Sequence, residues 1–263
     1  MKTIKIALRN LTFLIACLFL IARCTDTKKD NENAEIATEG DVSKFVAVLT
    51  EKEKSEGWEF LFDGKNTDKW KSVNADSFPS KGWVIEEGAL VLGSKDGGDI
   101  ITHEKFDNFE LVFDFKLTDS ANSGIKYFVG NMNNKDNEGN MIFNGPEYQI
   151  IDDYNHPGIT DDKEGQLTSS GSLYLLYSPD NKTLKPAGEW NTGRIVAQGK
   201  HVEHWLNGVK LLSYERGSRD FRDKITATKF RNQENYGELE SGHIMLTDHN
   251  DKVYFKNIKV RRL

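Results

Sequence analysis

Cysteine is scarce in this 263-residue chain: Cys17 and Cys24 are the two, and both fall in the first 24 residues. Everything downstream folds without a disulfide framework. Positive charge is not in excess either. The formal net charge is −6, which gives no support to a nucleic-acid footprint. No apolar run reaches a comfortable membrane span of about 20 residues; the longest, Leu11 to Ala22, is too short. Long helical periodicities are missing, and no repeat of fixed period argues for a propeller or a β-helix. There is no Walker A loop, no H-E-x-x-H and no G-x-S-x-G, so the common phosphate, zinc-protease and serine-hydrolase signatures are absent.

What is present begins with Lys2, Lys5 and Arg9 ahead of that apolar run. This is the layout of an export signal over 1–23, the alternative being an N-terminal signal anchor. Cys24 closes the run and suits a lipid-bearing first mature residue, although Arg23 stands where such signals carry a small residue. Cys17 fits the small-residue rule better but lies inside the run. A diacylglyceryl and an N-acyl chain on Cys24 would anchor the protein firmly, and no other membrane contact is expected. Losing 1–23 removes four cations and no acid, which takes the net charge from −6 to −10. The expectation is an exported protein, periplasmic or held at a bacterial surface. Residues 24–48 read as a polar tether and 49–263 as one domain.

Aromatics make up 11% of the chain, which argues for a packed domain. Thr50-Glu51-Lys52-Glu53 is a capping box, predicting a short helix that stops at Gly57. Beyond it the pattern is β. Phe109, Leu111, Phe113, Phe115 and Leu117 alternate with Glu110, Val112, Asp114 and Lys116, so one face of that strand is buried. Gly193 to Tyr214 reads as three strands turning at Gly199-Lys200 and Asn207-Gly208. Residues 244–263 repeat the theme around Asn250-Asp251, with a phase shift that predicts a bulge near Lys256-Asn257. Strands about every ten residues predict an all-β sandwich or jelly roll with one short N-terminal helix.

Polar groups concentrate in GPEYQIIDDYNHPG, residues 145–158. Strand alternation puts Glu147 and Gln149 on one face and Tyr148 and Ile150 on the other, with Asp152, Asp153 and His156 at the strand's end. Trp190 and Trp205 stand among Lys185, Glu189, Asn191, His201, Glu203, His204 and Asn207. Indole rings beside carboxylates and amides suit sugars, since rings pack on C–H faces and polar groups take the hydroxyls. Asn134, Asp136, Glu138 and Gly139 imitate the start of an EF-hand loop, but Gly145 stands where the bidentate Glu is required, which argues against calcium there.

Seven stretches in order resemble one family. They are Phe60–Lys65, Asn122–Tyr127, Pro146–Asp153, Ser170–Tyr174, Lys185–Asn191, His201–Gly208 and Gly242–Leu246. Over 57–263 the chain resembles the 3-keto-disaccharide hydrolase domains of exported bacterial proteins. The resemblance implies a concanavalin-like β-sandwich with its ligand on the concave sheet. It also implies cleavage of glycosides already oxidised to a ketone at C3. Two positions depart from the usual pattern: Thr247 opens Thr247-Asp248-His249 where Gln is usual, and Leu175 follows Leu173-Tyr174 where an acid is frequent.

A C3 ketone acidifies C2–H, so the site needs a base near C2, a donor at the ketone oxygen and an acid at the glycosidic oxygen. On the resemblance, Glu147 is expected at the sugar centre as base, His156 or His249 as acid, and Lys185 at the ketone oxygen. Asp152 would orient a histidine or hold a metal. Gln149, Asp152, Tyr127, Trp190, Asn191, Glu203 and Trp205 are the expected sugar contacts. No cofactor is demanded, although Glu147, Asp152 and His156 have ligand atoms suited to a divalent ion. The competing reading is a non-catalytic sugar-binding module on the same sandwich.

Overall fold

The computed structural model describes residues 42–135, 141–161 and 163–263. The export signal, Cys17, Cys24, most of the tether, and Asp136, Glu138 and Gly139 of the calcium-like loop lie outside the described residues. Strands follow in the order β1 (Glu59–Phe62), β2 (Trp70–Ser72), β3 (Trp83–Glu86), β4 (Ala89–Leu92), β5 (Ile100–Thr102), β6 (Phe109–Leu117), β7 (Asn122–Lys135), β8 (Met141–Asn144), β9 (Glu147–Ile151), β10 (Trp190–Gln198), β11 (His201–Leu206), β12 (Val209–Glu215), β13 (His243–Leu246) and β14 (Val253–Arg262).

They form two antiparallel sheets. One has eight strands in the order β12-β11-β10-β6-β14-β4-β3, with β1 also paired to β14. The other has six, β2-β5-β13-β7-β8, with β9 also paired to β7. Antiparallel sheets can bury one face and leave the other in water. The alternation of β6 does this: Phe109, Leu111, Phe113, Phe115 and Leu117 are buried, and they meet Ile125, Tyr148 and Ile150 of the six-stranded sheet in one core. Each large apolar side chain buried this way contributes roughly 1.5–3 kcal/mol. The concanavalin-like sandwich expected from the sequence is the fold observed.

Local signals behave as their chemistry dictates. The Thr50 side chain accepts from Glu53 N at 3.2 Å while Glu53 Oε2 accepts from Thr50 N at 2.8 Å, and helix α1 covers Glu51–Ser55. Asn207 and Gly208 both have positive φ, +48° and +83°, and turn β11 into β12. In β14 the register against β6 slips between Lys256 and Lys259, with Asn257 at φ +50°. That bulge lets Phe255 and Ile258, three residues apart, both face the core.

Two features differ from the sequence reading. β13 and β14 are not a hairpin. β13 lies between β5 and β7, whereas β14 lies in the other sheet, so the chain crosses the sandwich at Asn250-Asp251. Two further helices exist, α2 (Lys163–Thr168) and α3 (Arg219–Thr226). The signal for α3 was local: Ser218 caps the Phe221 N–H, and Phe221 and Ile225, four apart, form its buried stripe.

Candidate active site

The site forms where β7 and β9 run antiparallel. Opposite residues in such a pair share a face. The register is Lys126↔Glu147, Gly124↔Gln149 and Asn122↔Ile151. Ser123 and Ile125 of β7, with Tyr148 and Ile150 of β9, turn the other way, into the sandwich. Asn122, Gly124, Lys126, Glu147 and Gln149 therefore lie together on the outward face of the six-stranded sheet.

All but Gly124 floor a cavity of ≈ 250 Å³. Its walls come from elsewhere. Asn144 ends β8, Tyr174 comes from the loop after α2, and His249 follows β13. Lys229, Phe230 and Gln233 come from a 3-10 turn, Lys229–Asn232, that starts on a Thr228 cap. The wall is braced. Phe230 stacks on Tyr236 at 4.4 Å between ring centres, the Lys229 ammonium lies 4.8 Å from the Tyr174 ring centre, and Asn144 Nδ2 donates to Gln233 Oε1 at 2.8 Å. Gln149 Nε2 donates to Asn122 Oδ1 at 2.9 Å, which fixes that amide.

Glu147 is not braced. Its side chain is 5% exposed, and Oε1 is buried without a hydrogen-bond partner among the described residues. Asn144 Oδ1 and the Tyr236 hydroxyl are in the same condition. Tyr236 holds its proton well above the ordinary phenol range, because of burial and then the negative charge of Glu147. Buried polar atoms left unpaired cost about 1–3 kcal/mol each. Two unpaired acceptors lining one cavity, Glu147 Oε1 and Asn144 Oδ1, are the mark of a site whose donors arrive with a ligand.

Gly124 explains how the carboxylate fits. A methyl carbon on Gly124 would lie 2.1 Å from Glu147 Oε1 and 2.9 Å from its Cδ. The Glu147 side chain lies across the bare backbone of β7, in the space a larger residue would fill.

The other expected residues fall elsewhere. Asp152, buried, pins the loop after β9: Oδ2 accepts from Ser120 N and Asn155 Nδ2, both at 2.9 Å, and Oδ1 from Tyr154 N at 3.0 Å. Burial alone would raise its pKa; the hydrogen bonds of Asn155, Ser120 and Tyr154 outweigh that and hold it low. His156 is half-buried in the same loop, with Nδ1 accepting from Gly158 N at 3.0 Å. Neither lines the cavity. Of the suggested metal ligands, then, Glu147 alone does so. No cluster of three or more His, Cys, Asp or Glu suited to a metal occurs among the described residues.

Tyr127 faces the core, because it alternates in phase with Ser123 and Ile125. Its hydroxyl pairs with His204 Nε2 at 2.7 Å and the Tyr214 hydroxyl at 2.9 Å. The remaining set belongs to the eight-stranded sheet. Trp190 lies on its outer face with the ammonium groups of Lys256 and Lys116 at 4.0 and 5.1 Å. Trp205 donates to Glu203 at 2.9 Å beneath the Arg194 guanidinium. Asn191 accepts from Lys185 N and Asn207 Nδ2, and Lys185 Nζ donates to the Trp190 carbonyl. The structure brings Glu147, Gln149 and His249 together and leaves the others outside the cavity. It adds Asn122, Lys126, Asn144, Tyr174, Lys229, Phe230 and Gln233.

Comparison with known proteins bears on the same domain. A family model described as the 3-keto-alpha-glucoside-1,2-lyase-like domain matches residues 57–261. A 3-keto-disaccharide hydrolase of Bacteroides thetaiotaomicron is 34% identical over 233 residues, 80% of this chain and 79% of that protein. A crystal structure of a candidate glycosyl hydrolase from Parabacteroides distasonis matches with a TM-score of 0.71 at 36% identity, covering 83% of this chain and 99% of that one. A second from the same organism gives a TM-score of 0.58 at 26% identity, covering 78% and 99%.

Proposed function

The chain belongs to the 3-keto-alpha-glucoside-1,2-lyase-like family, and from that premise we propose that it cleaves 3-keto-glycosides, with Glu147 as the base at C2. At the level of bond class it is a glycosyl hydrolase, in keeping with its relatives. One observation carries the finer reading. Among the described residues lining the cavity, Glu147 is the one carboxylate. Hydrolysis through an oxocarbenium ion normally uses two carboxylates flanking the bond. Chemistry at a carbon beside a ketone needs one base and a positive environment, and Lys126 and Lys229 supply the latter.

The steps follow from electron flow. Glu147 removes the C2 proton, and the electron pair forms the enolate with charge on the C3 oxygen. The enolate collapses to re-form the ketone and expels the C1 oxygen, leaving a C1–C2 double bond conjugated to the carbonyl. His249, exposed at the cavity's rim, is placed to protonate the departing oxygen. Water then adds its oxygen at C1 and a proton at C2. Net hydrolysis is elimination followed by hydration, and elimination alone is the lyase half of the same path. Gln149 and Asn122, already paired, offer their remaining amide sites to ring hydroxyls.

The purified domain, given a 3-keto-disaccharide, should release monosaccharide with transient enone absorbance. Glu147→Gln should lower kcat by about 10²–10⁴ with the fold intact, the range for loss of a general base. Binding of unoxidised sugars with no release from any 3-keto-glycoside would make the protein a sugar-binding module instead. We place it outside the cytoplasm and anchored at Cys24, on the basis of the n-region and apolar run. Radiolabelled palmitate should enter the wild-type protein and not Cys24→Ala; label retained in that variant would point to Cys17.

A further inference from the structure

Lys126 and Glu147 are opposite partners on neighbouring strands, on one face, and both line the same cavity. Directly opposed charges of unlike sign in a sheet normally pair. These do not. Among the described residues, no ion pair or hydrogen bond joins the Lys126 ammonium to any carboxylate, and Glu147 Oε1 has no hydrogen-bond partner. The reason is next door. The Glu147 side chain lies across Gly124, two residues along β7 from Lys126, at a distance that any Cβ would forbid.

We propose that Lys126 is the catalytic cation that takes up the charge developing on the C3 oxygen, and that Gly124 is the positioning residue that keeps Glu147 from neutralising it. This rests on the ketone-directed reading above. In the substrate, C2–H and C3=O are on adjacent atoms. A base and a cation held side by side but unpaired match that geometry, one at each atom. Were they paired, the carboxylate would be a weaker base and the ammonium already neutralised. The proton leaves C2 for Glu147, and the negative charge on the C3 oxygen meets the Lys126 ammonium, so the charges balance without a further reactant.

The other donors in the cavity are less suited. Lys229 is exposed, and its ammonium is committed to the Tyr174 and Phe230 rings at 4.8 and 5.4 Å. His249 is exposed at the rim, where the leaving group would exit. Lys126 is half-buried on the floor. A charge-stabilising donor in such a place is worth about 10²–10³ in rate.

The test uses the full mature chain with a 3-keto-glycoside, and measures kcat, KM and the pH profile of kcat/KM. Lys126→Gln should lower kcat by about 10²–10³ with KM changed far less. Lys126→Arg, which keeps the charge, should recover at least about tenfold over Lys126→Gln. Gly124→Ala should drive the carboxylate off the strand and against the ammonium. An opposite charge lowers a carboxyl pKa, so the acidic limb of the profile should move to lower pH as kcat falls. Circular dichroism and thermal melts on each variant check that it is folded. Wild-type turnover with an unimpaired Lys126→Gln overturns the role of Lys126 alone. An unshifted acidic limb in Gly124→Ala overturns the role of the glycine. Absence of turnover by the wild type on any 3-keto-glycoside overturns this inference together with the activity it rests on.

Discussion

The two outer faces of the sandwich carry similar side chains and treat them differently. On the eight-stranded sheet, Glu110 is held by Arg194 and Arg261, and Glu203 accepts from the Trp205 indole while pairing with Lys210. Trp190 carries lysines over its ring. On the six-stranded sheet, Glu147, Lys126 and Asn144 Oδ1 face a cavity with their bonding capacity unspent. Residue type is common to both faces; satisfaction is not. A surface whose charges are paired is finished as a structure. One that leaves a buried carboxylate unpaired accepts a cost that a ligand can repay.

The largest effect should come from exchanging the two glutamates' fates. Glu147→Gln removes the base and should cost about 10²–10⁴ in kcat, whereas Glu203→Gln removes a paired surface acid and should change it less than about twofold. Steady-state kinetics of both variants on one 3-keto-glycoside decide it. Equal losses would mean that pairing does not tell the faces apart.

A second contrast lies between two histidines three residues apart. His204 is buried between the sheets, Nδ1 facing the Gly171 carbonyl at 3.0 Å and Nε2 facing the Tyr127 hydroxyl. Burial pushes its pKa down to about 4, against a partial rise from backbone hydrogen bonds. His201, on the outer face, has a raised pKa, first because of its hydrogen bond to Glu215. The signs oppose. Protonation of the unfolded chain near pH 6.5 pulls His204 towards unfolding, so its stability is present above that pH and lost as pH falls towards 4. His201 stabilises below pH 6.5 and loses its contribution as pH rises through its folded value. The buried histidine dominates, at roughly 3 kcal/mol by the usual conversion of a pKa shift. Urea midpoints between pH 7 and 4.5 should fall less in a folded His204→Gln variant than in the wild type. Parallel curves would show that His204 does not carry the loss.

Much of the fold was legible because it is local. The β6 alternation, the Thr50–Glu53 box, the Asn207-Gly208 turn and the bulge at Asn257 each depend on a few consecutive residues. The site was legible where strand alternation decides it, at Glu147 and Gln149. It was not legible where the deciding fact is a partner far away. Asp152 looks like chemistry in sequence and caps a loop in space, because one of the amides that fill it comes from Ser120, 32 residues back. Asn144 and Gln233 meet although 89 residues separate them. Lys126 lies two residues from a glycine in the Asn122–Tyr127 stretch, but only the register against β9 shows which acid it faces and fails to pair with.

The smallest expected effect bears most directly on the indole rings. Trp190 was expected at the sugar because aromatic rings pack on sugar faces. Its ring is engaged by Lys256 and Lys116 on the sheet away from Glu147. A partly exposed cation–π contact is worth about 0.5–1 kcal/mol. Trp190→Ala should therefore shift thermal stability slightly, and leave kcat and KM for a 3-keto-disaccharide within about twofold, as for a paired surface group. Paired measurements of melting temperature and KM read both arms. A tenfold rise in KM would place part of the substrate on the eight-stranded sheet, and the division of labour between the two faces would fail at that point.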